Sequence, residues 1–104
     1  MDKPDDLTEP LPVLYSIGQI VLSKQGKDRG TFYMVVGVEG NRLALADAKR
    51  FNVSRPKRKN AKHVQWTSHR AAGLVALVER GKNIDHGHFC QILAGLGNTL
   101  REKN

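Results

Sequence analysis

The residues of this chain whose types and spacing suggest chemistry are glycines, lysines and arginines. Residues 24–30 form a short loop in which two glycines enclose a run of charged side chains. Glycine permits backbone conformations that leave amide groups free to face a ligand, and the neighbouring cations add positive charge. This chemistry is the binding of phosphate groups, although an ordinary charged hairpin loop is an open alternative. The candidate binding residues of the loop are Lys24, Gly26, Lys27, Arg29 and Gly30.

A second group of cations follows in residues 49–62. Seven of these fourteen residues are basic and none is acidic. Like charges placed side by side repel each other, so an unmixed run predicts a polyanionic partner. A solubilising loop is the alternative, and a membrane-surface role is disfavoured because the run lacks an apolar face. The candidate contacts here are Lys49, Arg50, Arg55, Lys57, Arg58, Lys59, Lys62 and the adjacent His63.

Three residues near the C-terminus, His86, His88 and Cys90, could suggest a metal site. Their spacing puts His88 on a different helical face from the other two, and no fourth ligand is evident, so zinc ligation is not predicted. The Cys90 thiol is expected to be a small buried hydrophobe. No carboxylate pair, nucleophile constellation or G-x-x-x-x-G-K-[ST] loop is present. We therefore predict no enzyme activity, no metal, no cofactor and no small-molecule substrate.

The elements that must position the cations are predicted to be short strands. Runs rich in apolar and β-branched residues cover 17–22, 31–38 and 42–47, separated by the glycine loop and by a Gly-Asn turn. Two further candidates, 50–54 and 63–67, flank Pro56, which would interrupt a continuous strand. About five short strands with polar turns predict a mainly β fold, a small antiparallel barrel.

One or two α-helices are predicted to follow the strands, because the apolar period lengthens from two to about 3.6 residues after Ser68. The first helix covers the apolar positions between 71 and 78, and Gly81 is a suitable stop. The second begins at Asp85, whose carboxylate can cap the exposed amides. This helix carries an apolar stripe from 89 to 100.

Composition divides the chain into an acidic tail (1–14), predicted to be disordered, a barrel (15–67) and a helical appendage (68–104). Residues 1–15 have a net charge of −3, whereas residues 16–104, with 16 basic and six acidic side chains, carry +10. The single cysteine cannot form an intrachain disulfide, and no signal peptide or apolar run long enough to span a bilayer is evident. A cytoplasmic protein without a membrane partner is expected.

The sequence around the loop resembles a KOW motif. The matching segments are Gly-Gln-Ile-Val at 18–21, the loop 24–30 and Val-Val-Gly-Val at 35–38. The continuation through Arg-Pro-Lys-Arg-Lys at 55–59 and Lys-His-Val at 62–64 is similar to bacterial KOW-domain RNA-binding proteins. These in turn resemble the fourteen-e family of archaeal and eukaryotic large-subunit ribosomal proteins.

The resemblance covers about half of the chain, residues 17–67, and matches the helical part more loosely. It implies an SH3-like barrel that contacts structured RNA, usually ribosomal RNA or the ribosome, without catalysis. The chain departs from the motif at residues 31–33, where another basic residue is often found. Phe32 or Tyr33 could therefore stack on a base, but one ring in the core is the favoured interpretation. The rival hypothesis is a protein–protein adaptor that uses the barrel or the apolar C-terminal helix.

Overall fold

The computed structural model describes the backbone of residues 17–103 and the side chains of residues 17–96. Its five strands are β1 Gln19–Ser23, β2 Phe32–Glu39, β3 Arg42–Ala46, β4 Lys57–Asn60 and β5 Val64–Arg70. Each strand pairs antiparallel with its neighbours in the order β4-β3-β2-β1-β5. The fold is mainly β, as predicted, and is consistent with a small SH3-like barrel. The predicted disorder of residues 1–14 concerns a segment outside the described residues.

Both faces of the sheet carry apolar side chains, because successive residues of a strand point to opposite sides. On one face, Ile20 and Met34 pack with residues of the C-terminal helices. On the other face, Val21 and Tyr33 pack with apolar residues of β2 and β3 and with the start of β5. Tyr33 is buried and Phe32 is half-buried, which confirms that a ring of this pair lies in the core.

The helices follow β5 much as predicted. A 3₁₀ turn, Ala72–Leu74, leads into α1, Val75–Glu79, and the chain turns at Gly81 with a φ of +74°. The second helix, α2, covers His86–Lys103. The His88 amide donates to Asp85 Oδ2 over 2.9 Å, which confirms the predicted cap. No helix within residues 17–103 is long and apolar enough to cross a membrane.

The predicted strand over residues 50–54 is wrong, and the fourth strand lies instead inside the basic run. Asp47 Oδ1 accepts hydrogen bonds from the backbone amides of residues 49, 50 and 51 at 2.9, 3.0 and 2.9 Å. Asn52 and Arg55 then bond to each other's backbone in an isolated bridge. Because these amides are used locally, they cannot join a strand ladder, and pairing resumes only after Pro56, where Arg58 lies opposite Ala44.

Sheet and helices meet at Gly18. Its amide donates to the Val35 carbonyl over 2.8 Å, and its carbonyl accepts from the Ala71 amide over 2.7 Å. The φ of Gly18 is +94°, and a Cβ atom built there would lie 2.9 Å from Val75 Cγ2. Glycine is therefore required at this junction both by its backbone conformation and by the close approach of the helical segment.

Candidate nucleic-acid interface

The glycine loop is a closed structure between β1 and β2. The Ser23 amide donates to the Thr31 carbonyl and the Gly30 amide donates to the Ser23 carbonyl, each over 2.9 Å. Gly26 and Gly30 have φ values of +92° and +91°, a region that side chains disfavour. Glycine therefore shapes this backbone as predicted. The expectation that the loop amides are free to face a ligand is wrong for Arg29 and Gly30, because their amides donate to the carbonyls of Gly26 and Ser23 within the loop. The side chains of Lys24, Lys27 and Arg29 are exposed.

Asp28, the one acidic residue of the loop, points inward. Its Oδ1 accepts from the Ser23 hydroxyl over 2.9 Å and from Lys59 Nζ over 3.0 Å. Its Oδ2 accepts from the Tyr33 hydroxyl over 2.7 Å. The three donors belong to β1, β4 and β2, so a single carboxylate fixes the loop to three strands while the loop's cations face outward.

The hydrogen bonds to Asp28 favour the ionised form of its carboxyl group. Burial raises the pKa of the Asp28 carboxyl, but the three donors and the positive charge of Lys59 outweigh burial and lower that pKa to about 2. Burial raises the pKa of the Tyr33 hydroxyl, and its hydrogen bond to Asp28 raises that pKa further. The pair is therefore a carboxylate held by a neutral phenol throughout the physiological range.

Lys59 is not a surface cation, which corrects its inclusion among the exposed phosphate contacts. Its side chain is only 10% exposed and forms an ion pair with Asp28. A Cβ atom at Gly26 would lie 3.5 Å from Lys59 Nζ, so the loop closes directly over the ammonium group. The structure thus gives Lys59 a positioning role beneath the loop.

The segment that follows β4 lies beside the loop. The Lys24 amide donates to the His63 carbonyl over 2.8 Å, which joins the loop to the 3₁₀ turn Ala61–His63. Lys62 is exposed and His63 is half-buried. The structure therefore brings Lys24, Lys62 and His63 together, although they come from two separate stretches of sequence.

A second group of cations lies around Phe51, at the other end of β4. Arg50 Cζ is 5.7 Å and Lys57 Nζ is 5.4 Å from the centroid of the Phe51 ring. Both distances lie within the range of cation–π attraction. Lys57 is accordingly half-buried, whereas Lys49, Arg50 and Arg55 are exposed.

The loop that carries this second group is fixed to the helical part of the protein. Asn52 Nδ2 donates to the Ile84 carbonyl over 3.0 Å, and Asn52 Oδ1 accepts from the Ile84 amide over 2.7 Å. The Ser54 amide donates to Asn83 Oδ1 over 2.9 Å. These bonds hold residues 49–55 in place without a strand, so their cations are presented from an ordered backbone.

Between the two groups, Arg58 forms an ion pair with Glu39, with 2.9 Å between Nη1 and Oε1. Both side chains are largely exposed. Glu39 at the end of β2 and Arg42 at the start of β3 were not predicted as site residues, nor was Phe51. The signal that could have found the first two is their position on either side of the Gly-Asn turn, which places them opposite each other.

The described part of the protein is more positively charged than the net charge of the whole chain, +7, implies. Residues 17–96 contain fourteen basic and five acidic side chains, a net charge of +9. Three of the acids are used internally: Asp28 holds the loop, Asp47 binds backbone amides and Asp85 caps α2. Two ion pairs join described residues, those of Arg58 and Lys59, so the other described cations lack a carboxylate partner in the described part of the chain.

The three residues considered for metal binding do not form a cluster. Within the described residues, no group of three or more His, Cys, Asp or Glu side chains is arranged to hold a metal ion. Cys90 Sγ lies 3.5 Å from His86 Nε2, and the thiol is exposed. The expectation of a buried thiol is wrong, because Phe89, Ile92, Leu93 and Leu96 form the inward face of α2 and Cys90 lies off that face.

No protein-family model matches this chain, and no curated protein matches it.

Proposed function

We propose that this protein binds structured RNA, with ribosomal RNA as its partner, and that it acts in the cytoplasm without catalysis. The observation that supports this most directly is the arrangement of charge around β4. Two groups of exposed cations lie at its two ends, while three of the five described carboxylates are bonded inside the protein. A surface of this kind attracts the phosphate backbone, which dominates the affinity of proteins for nucleic acids.

Such a surface recognises mainly the positions of phosphate groups rather than the base sequence. Lysines act as point charges, whereas arginines can donate two parallel hydrogen bonds to a phosphate. The loop 24–30 and the segment 61–63 form one contact region, and residues 49–57 form the other. Phosphate contacts of this kind fix the orientation of a protein on its nucleic acid. A protein with two separated contact regions therefore suits an RNA whose backbone is held in a defined shape.

The adaptor hypothesis has less support. The described part of the apolar stripe, from Phe89 to Leu96, packs against the protein's own core. It is therefore occupied by intramolecular contacts, while the side chain of Leu100 lies outside the described residues. A contact with another protein through the barrel surface remains the second hypothesis.

The test is the affinity for a labelled RNA hairpin measured by fluorescence anisotropy at increasing salt concentration. We expect the double variant Lys27→Glu and Arg29→Glu to bind more weakly and to flatten the slope of log affinity against log salt by about two, one for each lost phosphate contact. The matched control, Arg80→Glu with Lys82→Glu, changes the net charge equally and alters exposed residues beyond α1. We expect it to keep the slope. Equal losses in both variants would mean that only net charge matters and would contradict the proposed interface.

A further inference from the structure

A depression lies on the sheet surface next to the cations. Gly37 on β2 lies opposite Ala44 on β3, and Ala44 lies opposite Arg58 on β4. These residues share one face of three adjacent strands and surround a depression of about 300 Å³, together with Val38 and Glu39. The floor is made of very small residues, and a Cβ atom at Gly37 would lie 3.3 Å from the Ala44 Cβ.

The chain departs from regular strand pairing at this place. The register between β2 and β3 shifts between Val35 and Gly37, so that β2 carries one extra residue opposite β3. Such bulges twist a strand and redirect its side chains, and they are frequent next to functional sites. Beyond the bulge, Val38 is the one large hydrophobic side chain that is exposed in the described part of the chain, at 39%.

The edge of the depression carries a donor and an acceptor side by side. Arg58 Nη1 donates to Glu39 Oε1, and the two side chains are 54% and 80% exposed. An ion pair this exposed contributes little to stability, so its groups remain available to a ligand. The guanidinium has further N–H groups and the carboxylate has a second oxygen.

Glu39 also requires an explanation on a surface that would bind RNA, because a carboxylate repels phosphate. Asp28, Asp47 and Asp85 serve internal hydrogen bonds, and Glu79 lies on α1. Glu39, by contrast, lies among the cations. Its Oε1 accepts from Arg58, and its Oε2 has no hydrogen-bond partner among the described residues. A ligand group with N–H donors would make this acceptor favourable.

We propose that this depression binds an unpaired guanine base of the RNA. This inference rests on the proposed function and adds a base preference to it. Among the four bases, guanine alone presents two N–H donors side by side on its Watson–Crick edge, N1–H and N2–H, which match the two oxygens of the Glu39 carboxylate. The neighbouring O6 accepts from Arg58, and the ring lies on the floor formed by the small residues Gly37 and Ala44. Recognition of splayed-out bases through this edge is a common mode in RNA binding.

The experiment uses an RNA hairpin whose loop contains uridines and one guanosine, compared with the same hairpin carrying inosine or adenosine at that position. Inosine lacks only the 2-amino group. We expect the full chain to prefer guanosine over inosine and adenosine by about 5- to 10-fold, the lower end for a bidentate base contact, because the site is open to solvent. We expect Glu39→Gln to abolish the preference while the hairpin still binds.

The matched control is Glu79→Gln, which makes the same chemical change on α1 and should leave the preference intact. Equal affinity of the wild-type chain for the three hairpins would overturn the guanine site and leave RNA binding standing. A preference that survives Glu39→Gln would likewise overturn the assignment to this depression. Failure of every hairpin to bind would instead contradict the proposed function itself, and the guanine site would fall with it.

Discussion

At the scale of single residues, Asp28 explains how a loop rich in cations remains ordered. Its carboxylate accepts one hydrogen bond each from Ser23 and Tyr33 and forms an ion pair with Lys59. Without this acceptor, the Lys59 ammonium would lie unpaired beneath the loop at 10% exposure. Removing one partner of a buried ion pair costs far more than the pair contributes, since the remaining charge loses both water and counter-charge.

We therefore expect Asp28→Asn to lower the free energy of unfolding by about 2–3 kcal/mol near neutral pH, measured by urea denaturation. The matched variant combines Asp28→Asn with Lys59→Met. It removes the unpaired ammonium group as well, so part of the lost free energy of unfolding should be recovered. If the double variant is no more stable than Asp28→Asn alone, the ion pair does not hold the loop.

The pH dependence follows from the same group. The pKa of Asp28 falls from its ordinary 3.8 to about 2 in the folded protein, so the folded state favours the carboxylate. Its contribution, roughly 2 kcal/mol, is complete above the unfolded-state pKa and disappears as the pH falls through the folded-state pKa. The stability difference between the wild type and Asp28→Asn should accordingly shrink between about pH 4 and pH 2. A constant difference over that range would show that the carboxylate charge is not responsible.

At the scale of elements, β4 shows what the sequence could not predict. The first three strands, β5 and the start of α2 follow from apolar runs, turn residues and the Asp85 cap, and the structure bears them out. β4 consists of Lys57–Asn60 and has no apolar residue. Inward and outward residues alternate along β4, but residue types do not reveal it, because lysines occupy the inward positions where hydrophobic residues would be expected. Lys57 lies over the Phe51 ring, and Lys59 forms an ion pair with Asp28.

The same reason limits prediction of the site. Residue types identified the exposed cations of the loop and of the basic run, but not which of them would be used inside the protein. The burial of Lys59 depends on Asp28, which is distant in sequence, and the association of Lys24 with His63 depends on the pairing of β1 with β5. Contacts between residues far apart in the chain carry no local pattern.

The junction of sheet and helices at Gly18 gives a prediction at this scale. Gly18→Ala forces a Cβ into contact with Val75 Cγ2 at 2.9 Å, in addition to the strain of φ +94°. Gly30→Ala is a matched control, because its φ is +91° and nothing lies within 4 Å of a Cβ there. We expect Gly18→Ala to be destabilised by about 1–3 kcal/mol more than Gly30→Ala, as overpacking typically costs. Equal thermal melts of the two variants would show that backbone conformation alone matters.

At the scale of the whole molecule, the apolar residues and aspartates stabilise the fold, and the cations form the proposed binding surface. The barrel and helices use their apolar residues on both faces of one sheet, and the three aspartates at 28, 47 and 85 fix loops and a helix end. Except for Lys59 and the half-buried Lys57, the cations of the glycine loop and of the basic run are exposed, in two groups at the ends of β4 with Arg58 between them. The first group combines the loop 24–30 with residues 61–63, so the fold assembles it from two segments, whereas the second group lies in one stretch of sequence, residues 49–57.

The most direct measurement is ultraviolet cross-linking in cells, followed by sequencing of the attached RNA and identification of the cross-linked peptides. We predict that large-subunit ribosomal RNA is recovered and that the cross-linked peptides come from residues 24–30 and 49–63. Cross-links confined to other parts of the chain would contradict the proposed interface. The absence of attached RNA would contradict RNA binding and move the adaptor hypothesis to first place.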